Sequence, residues 1–143
     1  MKTSARNQYD GSVVKITGGA INDEIEVALD GSGTRITAVI TSASVKKLGL
    51  EPGRKVVVLI KAPWVILTEE SGDVMFSARN QFPGTIVSVE DGAVNAEIAL
   101  KLDGGESMTA IITEGSTKNL GLAPGSRVTA LIKASHVIIG VRR

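Results

Sequence analysis

The chain has 143 residues, and 16 Lys and Arg residues against 15 Asp and Glu residues leave a net charge of +1. Nucleic-acid binders and membrane-surface proteins usually carry a basic excess, so this balance argues against both classes. The absence of cysteine excludes disulfides, thiolate metal sites and cysteine nucleophiles. No apolar run reaches the roughly 18 residues of a membrane span, and the start lacks a signal-peptide stretch. We therefore expect a folded cytoplasmic protein.

The first half of the chain reads mostly as β-strand. The sequence predicts one short helix after residue 40. Thr41 or Ser42 suits its N-cap, Val45 and Leu48 form an apolar pair, and Gly49 suits its C-terminal end. Strands are predicted where β-branched residues cluster between glycine-containing turns, at residues 12–16, 23–29, 35–40, 56–60 and 65–67. Five short strands and one helix favour a small barrel of the oligonucleotide/oligosaccharide-binding (OB) type.

An internal repeat organises the whole chain. The segment SARNQ at 4–8 recurs at 77–81, an offset of 73 residues, and LGLEPG at 48–53 recurs as LGLAPG at 120–125, an offset of 72. About half of the aligned positions are identical, which indicates one module written twice. We predict modules at 1–70 and 71–143, joined near the polar segment 68–73. The predicted fold class is all-β, with two tandem OB-type small β-barrels that each carry one short helix.

The size of each module predicts self-association. A module of about 70 residues buries little apolar surface, and such domains usually need disulfides, a metal or association with other copies. The run 56–60 is apolar on both faces of its strand, so one face should meet the core and the other the sister module or another subunit. We therefore expect a homo-oligomer.

Catalytic chemistry has little support in this sequence. The single histidine, His136, aligns with Trp64 in the first module, so no repeated role can depend on it. Asp23 and Glu24 are adjacent, but neighbours on a strand point to opposite faces, and Ala96 replaces Asp23 in the second copy. No motif of a serine hydrolase, a P-loop NTPase or a zinc enzyme occurs. We expect no catalytic residue, no metal cation site and no organic cofactor.

Hydrogen-bond donors are what the two copies share. Thr41 and Ser44 lie three residues apart at the start of the predicted helix, as do Thr113 and Ser116, and a lysine follows the apolar strand in both copies. A helix start offers unpaired N–H groups and the positive end of the helix dipole, which favours an anion. Taken singly, each of these residues is more simply a helix cap or a solvated surface group. Their joint recurrence instead predicts an acceptor-rich, negative ligand, an oxyanion.

The same segments carry a family resemblance. SARNQ at the start of a module, a GA[IV]N segment after its first strand, and the later T-x-x-S, LGL, PG and IKA segments resemble the Mop (molbindin) family. The tandem arrangement resembles di-Mop molybdate-binding proteins and the C-terminal half of molybdate-responsive transcription regulators. The match covers essentially the whole chain, twice. It implies an OB-type barrel in each module, assembly into a homotrimer, and molybdate or tungstate as the bound ligand.

The resemblance also implies binding residues. For the main oxyanion sites it implies Ser4, Ala5, Arg6, Asn7, Thr41, Ser44, Lys61 and Ala62 in the first copy, and Ser77, Ala78, Arg79, Asn80, Thr113, Ser116, Lys133 and Ala134 in the second. For a second class of oxyanion sites it implies Gly19, Ala20, Ile21 and Asn22, and Gly92, Ala93, Val94 and Asn95.

Three functions compete at this stage. The leading hypothesis is intracellular binding, storage and homeostasis of molybdate or tungstate. The alternative is a molybdate-sensing module that acts through a separate regulatory partner; SARN begins at Ser4, which leaves no room for an N-terminal helix-turn-helix. Generic OB-type nucleic-acid binding needs stacking aromatics in a basic groove, and the chain has only four aromatic residues. We expect no nucleic-acid and no membrane partner.

Overall fold

The computed structural model describes residues 1–70 and 72–143. Ser71, which belongs to the predicted junction 68–73, lies outside the described residues. The strands are β1 (Asn7–Thr17), β2 (Asn22–Leu29), β3 (Arg35–Thr41), β4 (Lys55–Ile60), β5 (Ile66–Glu69), β6 (Asn80–Asp91), β7 (Asn95–Leu102), β8 (Ser107–Thr113), β9 (Arg127–Ile132) and β10 (Ile138–Gly140). The helices are α1 (Ser42–Leu48) and α2 (Glu114–Asn119), with 3₁₀ turns at Ala62–Trp64 and Ala134–His136.

The chain forms two compact units, which are Met1–Ile60 with Lys133–Arg143, and Lys61–Ile132. Each unit contains one five-stranded antiparallel sheet, in the order β10-β4-β1-β2-β3 in the first unit and β5-β9-β6-β7-β8 in the second. Within the first unit β10 also lies against β3, and within the second β5 lies against β8. The two edges of each sheet therefore approach one another, and the predicted all-β, OB-like fold with one short helix per unit is confirmed.

The last strand of each unit comes from the other half of the chain. In the first unit β10 pairs with β4, with Ile139 opposite Val58. In the second unit β5 pairs with β9, with Leu67 opposite Ala130. The units of the structure therefore do not coincide with the sequence modules 1–70 and 71–143. Both modules end on nearly the same apolar strand, VIL or VII, so the hydrophobic pattern fits either receiving sheet equally well.

The first strand of each module is longer than predicted because it serves two neighbours. Asn7–Ser12 of β1 pair with β4, while Gly11–Thr17 pair with β2. A register shift between Val13 and Lys15 marks a bulge, and β6 has the matching one between Ile86 and Ser88. Bulges bend strands and increase their twist, which allows one strand to join both parts of a curled sheet.

Glycine is required where this strand crosses its neighbour. A Cβ on Gly11 would lie 2.7 Å from the Ala28 carbonyl oxygen, and one on Gly84 would lie 2.8 Å from that of Lys101. Both distances are shorter than real Cβ contacts, so either substitution forces the backbones apart. The close strand packing at this point depends on the missing side chain.

The cores of the two units share most of their buried positions. Ile25 in β2 and Ile98 in β7 are both completely buried. Strand β4 is buried on both faces, with Val57 5% and Val58 0% exposed, as its two-sided apolar pattern predicted. Among the described residues, no helix has the length and apolar character needed to cross a membrane.

Candidate functional site

The starts of the two helices have the same hydroxyl geometry. The backbone N–H of Ser44 donates to Thr41 Oγ1 at 3.1 Å, and the Thr41 hydroxyl donates to Ser44 Oγ at 2.8 Å. Thr113 and Ser116 repeat both bonds at the same distances. The threonine hydroxyl is thus used in capping the helix, while the serine hydroxyl keeps its own proton to donate. The predicted N-cap role of Thr41 is confirmed, with Gly49 at φ 63° ending α1.

The lysine segments reach the helix starts through the exchanged ends of the chain. The turn Ala134–His136 packs on β3, which ends at Thr41, and the turn Ala62–Trp64 packs on β8, which ends at Thr113. The alanines are buried and the preceding lysines are exposed. Within a unit, Thr41 is therefore grouped with Lys133, and Thr113 with Lys61. Each grouping combines residues of both repeats, because the last strand of each unit comes from the other half of the chain.

We call these groups the first donor set and the second donor set. The first donor set is Thr41, Ser44, Lys133 and Ala134. The second donor set is Thr113, Ser116, Lys61 and Ala62.

A cavity of about 390 Å³ lies beside the second donor set. Its polar lining comes from Asn95, Thr113 and Ser116, and Pro63 of the neighbouring turn also lines it. The remaining wall is apolar and consists of Val65, Ile66, Leu67, Ile111, Ile112 and Leu120. An apolar wall with a few convergent donors is the usual composition of a small-ligand site.

The SARN segments divide into exposed and buried residues. Ser4, Arg6 and their second-copy equivalents Ser77 and Arg79 are exposed, and Ala5 and Ala78 are half-buried. By contrast, Asn7 and Asn80 are each only 2% exposed. The Asn80 side-chain amide donates to the Ile132 carbonyl at 3.2 Å, so this group helps to hold β6 against β9. Asn7 lies opposite Ile60, and Asn80 opposite Ile132, each one residue before a site lysine.

A glutamine that recurs in both copies shapes this segment. It is not among the predicted site residues. The Gln8 side-chain amide donates to the Ala5 carbonyl at 3.0 Å, and that of Gln81 donates to Ala78 at 2.9 Å. Each bond spans three residues and closes the SARN segment into a turn. The signal was present in the sequence, because the glutamine recurs in both copies of SARNQ.

The GA[IV]N segments adjoin the helix starts. The Ile21 carbonyl accepts the backbone N–H of Ser42 at 2.8 Å, and the Val94 carbonyl accepts that of Glu114 at 2.9 Å. The first N–H of each helix is therefore already bonded to protein. The Ile21 and Val94 side chains are 75% and 74% exposed. Within each unit, the segment predicted for a second class of sites thus lies next to a helix start. The other residues of these segments are also exposed, namely Gly19, Ala20, Asn22, Gly92, Ala93 and Asn95.

Each helix start also carries one carboxylate, supplied by different elements. In the first unit Asp23 Oδ1 accepts from the Ser42 hydroxyl at 2.5 Å and from the Gly19 N–H at 3.2 Å. In the second unit Ala96 replaces Asp23, while Glu114 replaces Ser42 as the first residue of the helix. The two changes compensate, because a negative charge near a helix start is stabilised by the helix dipole.

The strongest charge cluster of the second unit belongs to the sheet. Arg127 donates to both Asp103 oxygens, at 2.6 and 2.8 Å, and also to Glu70. The hydrogen bonds from Arg127 lower the pKa of Asp103, and those to Asp103 and Glu70 raise the pKa of Arg127. The matching region of the first unit borders a cavity of about 760 Å³, lined by residues that include Asp10, Arg54 and Arg142. Because its charges are mixed, that cavity does not favour a dianion.

These features define an all-β protein with two OB-like units, each of which packs the turn that follows a lysine on the strand that leads into its helix. The model of the TOBE domain matches residues 3–67 and 77–139. The chain belongs to the TOBE domain family, and the predicted tandem, Mop-like organisation is confirmed.

The similar proteins are molybdenum proteins. The molybdenum-pterin-binding protein MopA of Rhodobacter capsulatus is 46% identical over 141 residues, 99% of this chain and 53% of the relative. The molybdenum transport protein ModE of Azotobacter vinelandii is 43% identical, over 99% of this chain and 52% of the relative. The chain therefore spans about half the length of these relatives. A crystal structure of the cytoplasmic molybdate-binding protein ModG with molybdate bound is 45% identical, with a TM-score of 0.94 over 99% of this chain and 100% of that chain.

Proposed function

We propose that this protein binds molybdate or tungstate in the cytoplasm, for storage and homeostasis of the oxyanion, and that it catalyses no reaction. The observation that carries the proposal is the likeness to molybdate-bound ModG over the full length of both chains. The donor chemistry supports it. A tetrahedral dianion taken out of water needs a donor for each oxygen, because an unpaired buried charge is very costly.

We further propose that each donor set forms part of one oxyanion site. Ser44 and Ser116 supply hydroxyl protons, Ala62 and Ala134 are buried where their segment meets the sheet, and Lys61 and Lys133 supply positive charge. The exposed SARN residues and the GA[IV]N segments complete the predicted sites, with a backbone role for Asn7 and Asn80 because their side chains are buried. The lysines must outweigh the carboxylates of Asp23 and Glu114, and for this reason we expect them to dominate affinity.

A sensing role acting through a regulatory partner is the second candidate. It is supported by the likeness to ModE proteins, some of which are named transcriptional regulators. That likeness covers only about half of each ModE chain, whereas the likeness to ModG covers both chains. The comparison therefore favours binding and storage.

The test of function is calorimetric titration of the full-length protein with sodium molybdate. Hydrogen bonds to a charged group contribute about 1.5–3 kcal/mol each, so Lys61→Ala with Lys133→Ala should weaken binding about 10- to 150-fold. Ser44→Ala with Ser116→Ala should also weaken it. Lys15→Ala removes an exposed strand lysine outside both donor sets and should leave affinity unchanged. Absence of binding by the unsubstituted protein would contradict the proposed function, and unchanged affinity in both double variants would contradict the proposed sites.

We also propose a homotrimer, following the family resemblance. Exposed apolar side chains support association, including Ile21, Val94 and Met75, which is 97% exposed. Association would remove such side chains from water, which is favourable. Native mass measured by light scattering should equal three chains, and a monomer at micromolar concentration would contradict this assembly.

A further inference from the structure

The turns that follow the two site lysines differ in sequence, and the larger change is an aromatic one. Trp64 ends the 3₁₀ turn that follows Lys61, and His136 ends the turn that follows Lys133. The turns share a buried alanine at the first position and differ also at the middle position, which is Pro63 in one and Ser135 in the other. Trp64 is the only tryptophan and His136 the only histidine of the chain.

Trp64 lies beneath the ammonium group of Lys61. Lys61 Nζ is 5.5 Å from the centroid of the Trp64 ring. Cation–π attraction operates within about 6 Å of a ring centroid, and tryptophan is the strongest aromatic partner. The Trp64 ring is itself half-buried, so it offers a fixed surface to a lysine that is otherwise exposed and free to change rotamer.

We propose that Trp64 is a positioning residue, which holds the Lys61 ammonium for binding at the second donor set and raises the oxyanion affinity of that site. This inference rests on the proposed function and adds to it an asymmetry between the two sites. The turn that carries Trp64 packs on β8, whose end is Thr113, and Pro63 of that turn shares a cavity with Thr113 and Ser116. The turn that follows Lys61 therefore lies close to the two hydroxyl donors.

The physical gain is preorganisation. A free lysine side chain loses rotamer entropy when it is fixed by a ligand. A lysine already restrained by an aromatic ring loses less of that freedom on binding, so more of its attraction for the anion appears as affinity. In the first unit the aligned residue is His136, whose ring is smaller than the indole of Trp64.

A double-mutant cycle tests the coupling. Lys133→Ala, carried by all four proteins, weakens the first site, and molybdate affinity is measured by calorimetry for this background and for the added changes Lys61→Ala, Trp64→Ala and both. Cation–π pairs at exposed sites correspond to a change of about two- to fivefold. Trp64→Ala should weaken binding by that factor when Lys61 is present and have no effect when it is absent. Trp64→Phe should retain part of the affinity.

Fluorescence of the single tryptophan supplies a second readout. Molybdate should change Trp64 emission in the Lys133→Ala background with the same midpoint as the calorimetric titration, and Lys61→Ala should remove the change. In the reciprocal experiment, His136→Trp in the Lys61→Ala background should tighten the first site about two- to fivefold.

The outcomes separate this inference from the function on which it rests. Equal weakening by Trp64→Ala with and without Lys61 would mean that the ring acts only on folding and would overturn the inference while molybdate binding stands. Tighter binding in Trp64→Ala or Trp64→Phe would overturn it as well. Failure of the unsubstituted protein to bind molybdate would instead overturn the proposed function, and the inference with it.

Discussion

The two units contain the same hydroxyl pair but differ in the element that supplies the nearby carboxylate. Thr41 with Ser44 and Thr113 with Ser116 have identical hydrogen-bond distances. The carboxylate beside them comes from strand β2 in the first unit, as Asp23, and from the helix itself in the second, as Glu114. The geometry of the hydroxyl pair is thus the same in both units, although a different element supplies the nearby carboxylate.

The ends of the exchanged strands differ in charge, and each charge suits the sheet that receives it. Arg142 of the first unit bonds Asp10 at 3.1 Å, while Glu70, its aligned counterpart, bonds Arg127 in the second unit. In the opposite arrangement Glu70 would meet Asp10, and Arg142 would meet Arg127. The apolar pattern of the last strand does not distinguish the two sheets, but these terminal charges do.

The largest expected change in stability comes from core substitutions, which test whether the two cores are equivalent. Ile25→Ala and Ile98→Ala each remove a fully buried side chain at the same position of their sheets. Each should lower the free energy of unfolding by about 2–5 kcal/mol, through lost burial and the cavity that remains. Urea denaturation followed by circular dichroism measures both. A loss in one variant only would show that the units do not share equal core packing.

A smaller effect on stability is expected from the two hydrogen bonds that Asp23 accepts in the first unit. Asp23→Ala removes the bonds that Asp23 accepts from Gly19 and Ser42, and hydrogen bonds to charged groups contribute about 1.5–3 kcal/mol. The Gly19 amide should then exchange its hydrogen faster, while the Gly92 amide, which donates to the Asn95 carbonyl, serves as the control. Unchanged Gly19 exchange would remove Asp23 from this structural role.

The sheet charges should differ in their contribution to stability. Arg127→Met removes contacts with two carboxylates, whereas Arg142→Met removes one contact with Asp10. We expect a larger fall in melting temperature for Arg127→Met, since geometry that engages both carboxylate oxygens gives stronger pairing. Added salt should narrow the difference because exposed charges are screened. Equal falls would mean that the double pairing adds nothing.

The fall of the melting temperature at acid pH should depend on Asp103. Because Arg127 lowers the pKa of Asp103 in the folded state, its contribution is present above the ordinary pKa and is lost as pH falls through the lowered one. Asp103→Asn should therefore reduce the melting temperature at neutral pH and flatten its decline in acid. Asp30→Asn is the matched change in the first unit, where the contact with Lys55 is longer, at 3.5 Å. A parallel acid limb in wild type and Asp103→Asn would contradict this reading.

Local features of the fold could be predicted from sequence, while the pairing of distant segments could not. The N-cap at Thr41 and the positive φ of Gly49 follow from residue type and spacing. The presence of Lys133 and Thr41 in one unit depends on strand exchange, which two nearly identical strand ends cannot encode through hydrophobicity. The burial of Asn7 likewise depends on its place opposite Ile60, a long-range contact that its neighbours in sequence do not specify.

The most direct measurement is anomalous diffraction at the molybdenum absorption edge from crystals of the full-length protein grown with molybdate. The account predicts molybdenum peaks within hydrogen-bond reach of Ser44 with Lys133 and of Ser116 with Lys61. Peaks only at other positions, or none in crystals grown well above the solution dissociation constant, would contradict it.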